Sequence, residues 1–315
     1  MLPNEYSGPL RSPLNSSRVM RRRQLLLCAI VLAASSVPSS GQQRAAAIPD
    51  FSGLWAHPFL TGFEPPASGP GPVTNKARRP DGVANFQQLV GDDTNPVLKP
   101  EAAEIVKQHG DLSRAGVGYP TPSNQCWPGG VPYIFWDFLV ELLQRPDHIT
   151  MIYRHGGEVR HVRMNAPHPA HVTPSWYGDS VGRYEGGTLV IDTIGIKKGP
   201  FAMLDMYGTP FSDRLHVVER YRLVDYATAQ DAIERNDKEN SHAGGAWDFD
   251  PKYRGKVLQL HFTVEDEGVF TTPWTATITY RPAVDPWIEL ICAENQHEYF
   301  NNRDSRVPAA EKPDF

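Results

Sequence analysis

No apolar run in the chain is long enough to stay in a bilayer as a helix. The longest, Leu25 to Ala34, falls short of the roughly 20 residues such a span needs. Beyond the arginine cluster at residues 21–23 a basic tract is missing too: 31 lysines and arginines face 36 aspartates and glutamates, which argues against nucleic acid and anionic membrane surfaces as partners. Cysteine is scarce, at three residues, and none stands in a Cys-x-x-Cys pair. The sequence also lacks the His-Glu-x-x-His zinc pattern, the Gly-x-Ser-x-Gly elbow, a phosphate loop and a dinucleotide fingerprint. Serine hydrolase, kinase and Rossmann dehydrogenase readings therefore lose their motif support. What the chain has in excess is proline, 29 residues of 315, so long irregular connections are expected.

The N-terminus reads as a processing signal. Met20-Arg21-Arg22-Arg23-Gln24 is a basic region, Leu25 to Ala34 the apolar region behind it, and Ser39-Ser40-Gly41 the small residues a peptidase accepts. Residues 1–41 are taken as the signal peptide, with Met20 as an alternative start. Arg22-Arg23-Gln24-Leu25-Leu26 approximates a twin-arginine signal, which would mean export after folding with a cofactor loaded, its identity unknown. Cys28 precedes most of the apolar run, which argues against a lipoprotein anchor. Removing this leader takes away five arginines and one glutamate, leaving a mature chain more acidic than the −5 of the whole sequence. The expected location is periplasmic or secreted. There the two remaining cysteines, Cys126 and Cys292, form either one disulfide or a pair of buried thiols. Nothing beside either one suggests the lowered thiol pKa of a catalytic cysteine.

Residues 42–130 are irregular, broken at Pro65-Pro66, Gly69-Pro70-Gly71-Pro72 and Gly129-Gly130. One helix is expected, Pro100 to Gln108, with proline and acids in its first turn and Gly110 as its stop. This segment should wrap a core rather than build one. From Pro132 the period becomes two: Leu215, Val217, Tyr221 and Leu223 oppose His216, Val218, Arg220 and Arg222, and Leu258, Leu260, Phe262 and Val264 oppose Gln259, His261 and Thr263. Further strands are expected at Phe138–Gln144, Ile149–Arg154, Val159–Met164, Ser180–Tyr184, Thr188–Ile194, Trp274–Arg281 and Trp287–Glu294, with tight turns at Gly156-Gly157 and Glu185-Gly186-Gly187. No helix is expected among them. Eight to ten such strands make residues 131–315 an all-β, antiparallel barrel or strongly bent sandwich.

Gly53-Leu54-Trp55 resembles the Gly-x-Trp that opens lipocalin-like barrels. That resemblance implies a Trp plugging one barrel end, covered by an arginine near the C-terminus, Arg303 or Arg306. Longer stretches resemble a large uncharacterised family of exported bacterial proteins: Pro49-Asp50-Phe51-Ser52-Gly53-Leu54-Trp55, Gly182-Arg183-Tyr184-Glu185-Gly186-Gly187-Thr188-Leu189-Val190-Ile191-Asp192-Thr193, Leu215-His216-Val217-Val218-Glu219-Arg220 and Lys312-Pro313-Asp314-Phe315. Where that family has Trp and Asp, this chain has Tyr184 and Gly187. The resemblance implies fold and export and supplies no chemistry.

Candidate chemistry rests on polar residues in apolar surroundings. Asp192 ends the run Leu189-Val190-Ile191 and needs a partner, Arg183 or Arg220, either as a buried ion pair or as a lumen-facing acid or base. Glu219, in phase with Val217 and Tyr221, is either a general base or a barrel-end salt bridge; Glu294, in phase with Cys292, poses the same choice. His168 and His171 are spaced for a metal but stand on a Pro-rich loop, so ligation competes with surface hydrogen bonding, and no metal is assigned. Trp176, Tyr177, Trp274 and Trp287 either line a cavity or fill the core. The resulting expectation is a barrel holding a small, partly apolar ligand in its lumen against Asp192, Glu219, Arg183 and His168 or His171. Lyase, isomerase or hydrolase chemistry is open to such a site. The rival is an envelope structural or assembly protein docking through its Pro-rich first third.

Overall fold

The computed structural model describes residues 48–58, 62–154, 157–240, 250, 252–284 and 292. The signal segment, Gly156, Trp287, Glu294, Arg303 and Arg306 lie outside the described residues, as does the expected last strand apart from Cys292.

Nine strands close a barrel in sequence order. They are β1 (Gly53–Ala56), β2 (Leu139–Gln144), β3 (His148–Tyr153), β4 (Glu158–Met164), β5 (Asp179–Glu185), β6 (Thr188–Ile194), β7 (His216–Asp225), β8 (Lys256–Glu265) and β9 (Trp274–Pro282). The period-two segments chose these strands because alternation puts one row of side chains inside and the next outside. Eight neighbouring pairs are antiparallel, including the closing β1–β9 pair. The expected hairpin succession fails at one place. β4 and β5 run parallel, Val162 beside Ser180 and Met164 beside Gly182. A parallel neighbour needs a crossover of roughly a dozen residues or more, and residues 165–178 provide it. Both strands thus begin at one rim of the barrel, called here the mouth.

Two helices depart from the sequence reading. The first, α1 (Pro100–Arg114), starts at Pro100 as expected but runs through Gly110. That glycine lies in close packing: a Cβ there would stand 3.1 Å from Val90 Cγ1, tight enough that Val90 would have to give way by a few tenths of an ångström. The second, α2 (Tyr226–Asn240), interrupts the strands between β7 and β8 and corrects the expectation of none. It buries Ala229 and Ile233 against Val257 with Val224 and Tyr253, the i, i+4 spacing of an amphipathic helix. Its polar face fastens other elements: Asp237 pairs with Arg281 on β9, Arg235 with Glu64, and Glu239 with Arg78.

The lumen is filled. Phe262 meets Phe63, Phe135 and Trp274 edge-on at centroid distances of 5.1, 5.2 and 6.0 Å. Tyr153, Tyr221 and Tyr280 are buried beside them. Trp55 points inward, donates its indole N–H to the Phe51 carbonyl and joins the same core. The Pro-rich segment contributes Phe63, Val73, Val97, Leu98 and Val106 to the same core. Cys126 and Cys292 are disulfide-bonded with Cα atoms 5.5 Å apart. No described helix is long and apolar enough to cross a membrane.

Candidate functional site

Glu219 is on the inner face and wholly buried, as its phase requires, but it is not waiting for a ligand. Arg160 of β4 grips it two-fold, Nη2 to Oε1 at 2.6 Å and Nη1 to Oε2 at 2.9 Å. The Tyr221 hydroxyl donates to the same Oε2 at 2.9 Å, and Arg160 also donates to Ser180 and Thr193. Burial works against the guanidinium charge, yet the Glu219 carboxylate holds the Arg160 pKa above its usual value. Such a saturated pair is a structural element of the core. Trp274 is likewise core, packed on Phe262 and Phe270 with its indole N–H unpartnered.

Asp192 points outward, which corrects its placement in the lumen. Leu189, Ile191 and Thr193 take the inner positions of β6, opposite Tyr221, Glu219 and Val217. Its partners are histidines rather than Arg183 or Arg220. His168 Nε2 stands 2.9 Å and His216 Nε2 3.1 Å from Asp192 Oδ1. The chain of contacts continues from His168 Nδ1 to Asp179 at 2.8 Å and on to Arg163, and from His216 Nδ1 to Glu265 at 3.3 Å. Arg183 is exposed and pairs with Glu185, and His171 is exposed as well. The expected lumenal constellation is therefore dispersed. His168 spends both ring nitrogens on carboxylates, and no cluster of three or more metal-type ligands occurs among the described residues.

This outer chain pins the crossover to the barrel wall. The hydrogen bond from His216, with a second from His168, holds the Asp192 carboxyl down at about 2 from an ordinary 3.8. The same contact to Asp192 raises His216 above 6.5. A depressed carboxylate loses its stabilising effect as pH falls from about 3.8 through 2, and a raised histidine loses its own as pH climbs past its folded value. The clamp should be strongest between about pH 4 and 6.5. Asp192→Asn should flatten both limbs of a melting-temperature profile. Parallel wild-type and variant profiles would remove the clamp from the stability account.

A different carboxylate occupies the mouth. Glu158, the first residue of β4, shares the inner phase of Arg160 and Val162. Its Oε1 accepts the Gly129 N–H at 2.9 Å. Its Oε2 is buried and carries no hydrogen bond of ordinary geometry, although the Tyr177 hydroxyl stands beside it. Burial, with the Asp137 charge nearby, pushes its pKa up to about 8. Burial beside Glu158 also raises the Tyr177 phenol. Glu158 lines a small crevice of about 10 Å³, partly open to solvent, with Ser123, Trp127, Tyr133 and Trp136. Sharing Pro122 and Trp127 with it is a second small lobe, also of about 10 Å³, lined by Trp176, Lys197, Phe201, Met203 and Phe211.

Each wall has a local cause. The disulfide at Cys126 fixes the turn that carries Trp127. The crossover ends in Trp176 and Tyr177 just before β5. Asp205 closes the loop bearing Met203 and Phe211 by accepting the Tyr207 and Thr209 N–H groups and the Thr209 hydroxyl.

Comparison with family models, curated proteins and solved structures finds no match. The site must accordingly be read from its chemistry.

Of the aromatics expected at a cavity or in the core, Trp176 lines the second lobe and Tyr177 stands beside Glu158. Glu158, Arg160 and Lys197 were missed. The signal for the first two was present: Glu158, Arg160, Val162 and Met164 alternate with Val159, His161 and Arg163, the same test that marked Glu219. Two charges in phase with Val162 and Met164 predict inward-facing charge. For Lys197 and Trp127, on irregular segments, the sequence carries no comparable sign.

Proposed function

We propose that the chain binds a small molecule at the barrel mouth and that Glu158 exchanges a proton with it. The observation that carries this reading is the Glu158 carboxyl, buried beside the Tyr177 hydroxyl on an aromatic crevice at the mouth, with its pKa raised to about 8 and its Oε2 held by no hydrogen bond of ordinary geometry. Near neutral pH the group is mostly protonated and serves as a general acid; its conjugate base forms around pH 8. Tyr177, its phenol raised above the ordinary value, keeps its proton and serves as a hydrogen-bond donor beside it. Lyase, isomerase and hydrolase chemistry all use such a carboxyl.

Export across a bacterial inner membrane into an oxidising space belongs to the same reading. The leader-like N-terminus, the acidic chain, the Cys126–Cys292 bond and the resemblance to exported proteins support it. The rival role, docking through the Pro-rich segment, is less well served, because that segment turns its apolar side chains inward to the barrel core.

Glu158→Gln tests the site. The amide keeps the acceptor for Gly129 and removes the titrating proton. A carboxyl with a raised folded pKa makes the fold less stable as pH rises from 4.5 toward 8, so the variant should gain on wild type over that range, by roughly 4 kcal/mol at pH 8. It should also lose any ligand-induced change in Trp fluorescence. Equal stability of the two proteins across this range, or a Glu158 side chain titrating near 4.5 by NMR, would defeat the proposal.

A further inference from the structure

The outer wall of the barrel carries a knot of basic side chains that the fold itself leaves unused. Arg220 on β7 stands directly opposite His261 on β8, and Arg222 stands opposite Gln259 one step along the same face. Positions of this kind are roughly 5 Å apart across the strands and 7 Å along them, so three basic groups share one small area. Two of them are anchored at the base and free at the tip. Arg222 Nε donates to the Thr188 hydroxyl at 2.8 Å, and His261 Nδ1 stands 3.3 Å from the Thr277 hydroxyl. The Nη groups of Arg222, His261 Nε2 and the whole guanidinium of half-buried Arg220 have no partner among the described residues. Acids of the adjoining segments are committed elsewhere: Glu185 to Arg183 on β5, Asp237 of α2 to Arg281, and Glu64, bridged to Thr277, to Arg235. Burial and the two guanidinium charges hold the His261 imidazole below its ordinary 6.5, with no carboxylate among the described residues to offset them. Like charges on facing strands cost stability, and a bound anion would reverse that cost.

We propose that Arg220, Arg222 and His261 bind a phosphate group on the outer face of β7 and β8. The site uses no residue of the Glu158 mouth, so the two stand or fall separately. A guanidinium presents a planar fork of N–H donors matched to two oxygens of such a group. Two forks and one imidazole N–H call for three or more acceptor oxygens, which a tetrahedral oxyanion offers and a carboxylate, with two, does not. With the Thr277 hydroxyl donating to Nδ1, the ring proton of a neutral His261 is on Nε2, the nitrogen left free. A phosphate monoester carries nearly two negative charges at neutral pH, which two guanidiniums balance. Three side chains are too few to hold a nucleic acid or a membrane surface against salt, in keeping with the excess of acids in the whole chain.

The test titrates inorganic phosphate into the full folded chain, with chloride adjusted to hold ionic strength constant, and follows the His261 ring by NMR. A saturable shift with dissociation in the roughly millimolar range is expected, together with a His261 pKa that rises when phosphate is bound. Arg220→Gln and Arg222→Gln should each weaken phosphate roughly tenfold. Arg220→Gln should also leave the melting temperature unchanged or higher, because it removes a charge that the fold does not pair. Arg183→Gln removes a nearby arginine already held by Glu185 and should change phosphate affinity by less than about twofold. Glycerol phosphate, run beside the free ion, tells the two sources apart: tighter binding of the ester assigns the site to a phosphorylated molecule, and equal binding assigns it to phosphate itself. A His261 ring indifferent to phosphate, or an equal loss of affinity in the Arg183 variant, would overturn the proposal. So would capture of the chain on phosphatidylglycerol vesicles with no response to free phosphate, which would make the patch a membrane contact.

Discussion

Replacing Glu219 with Ala is expected to destabilise the fold by about 3–5 kcal/mol, the range for stranding one member of a buried ion pair. Arg160 and Glu219 expose 1% and 0% of their side chains, so neither charge has water to fall back on. With Glu219 gone, the guanidinium is left with neutral partners, Ser180, Thr193, Tyr153 and a weak contact to the Met151 sulfur. Arg160→Met should cost a similar amount, because the carboxylate then keeps only hydroxyl donors. The double variant Arg160→Met, Glu219→Leu should recover most of the loss, since a well-packed apolar pair in place of a buried ion pair is often neutral or better. A double-mutant cycle in chemical denaturation should give a coupling above about 2 kcal/mol. Single variants each costing less than about 1 kcal/mol would show that the pair is not the core element described here.

Breaking the Cys126–Cys292 bond is expected to cost about 5 kcal/mol in the loop-entropy account, because a sequence separation of 166 residues closes a long loop. The double variant Cys126→Ser, Cys292→Ser should therefore show a lower denaturation midpoint, and reduced wild type should match it. The bond is next to Trp127, a wall shared by both lobes of the mouth, so ligand response should fall with it. Stability within about 1 kcal/mol of wild type would mean that the unfolded chain is already held compact without the bridge.

Alternation carried most of the fold. The segment over residues 188–194 was bounded to the residue, and seven others to within one or two, because a half-buried strand writes its two faces directly into the sequence. The parallel β4–β5 contact was invisible, since pairing direction depends on where the crossover lands and not on the period of either strand. The second helix hid in a polar stretch whose apolar signal reduces to Ala229, Ala232 and Ile233. Asp192 was misplaced for a related reason. Val190 is buried although it faces outward, so the run Leu189-Val190-Ile191 did not identify the inner face. Counting by twos from Ile191 to Thr193 would have put Asp192 outside. The site itself was half legible: Trp176 and Tyr177 were named, whereas Trp127 and Lys197 come together through irregular chain that carries no period to read.

Nine strands also impose a constraint of parity. Going once around a closed ring, chain direction must reverse an even number of times to return to itself, so an odd number of strands cannot be joined by reversals alone. One like-directed neighbour is compulsory, and here it is β4 with β5. The return leg that this requires is the stretch bearing His168, Trp176 and Tyr177. Gaining or losing a hairpin would leave the count odd and the leg in place. Gaining or losing a single strand would let the ring close by hairpins, and the mouth would lose the wall on which its chemistry depends.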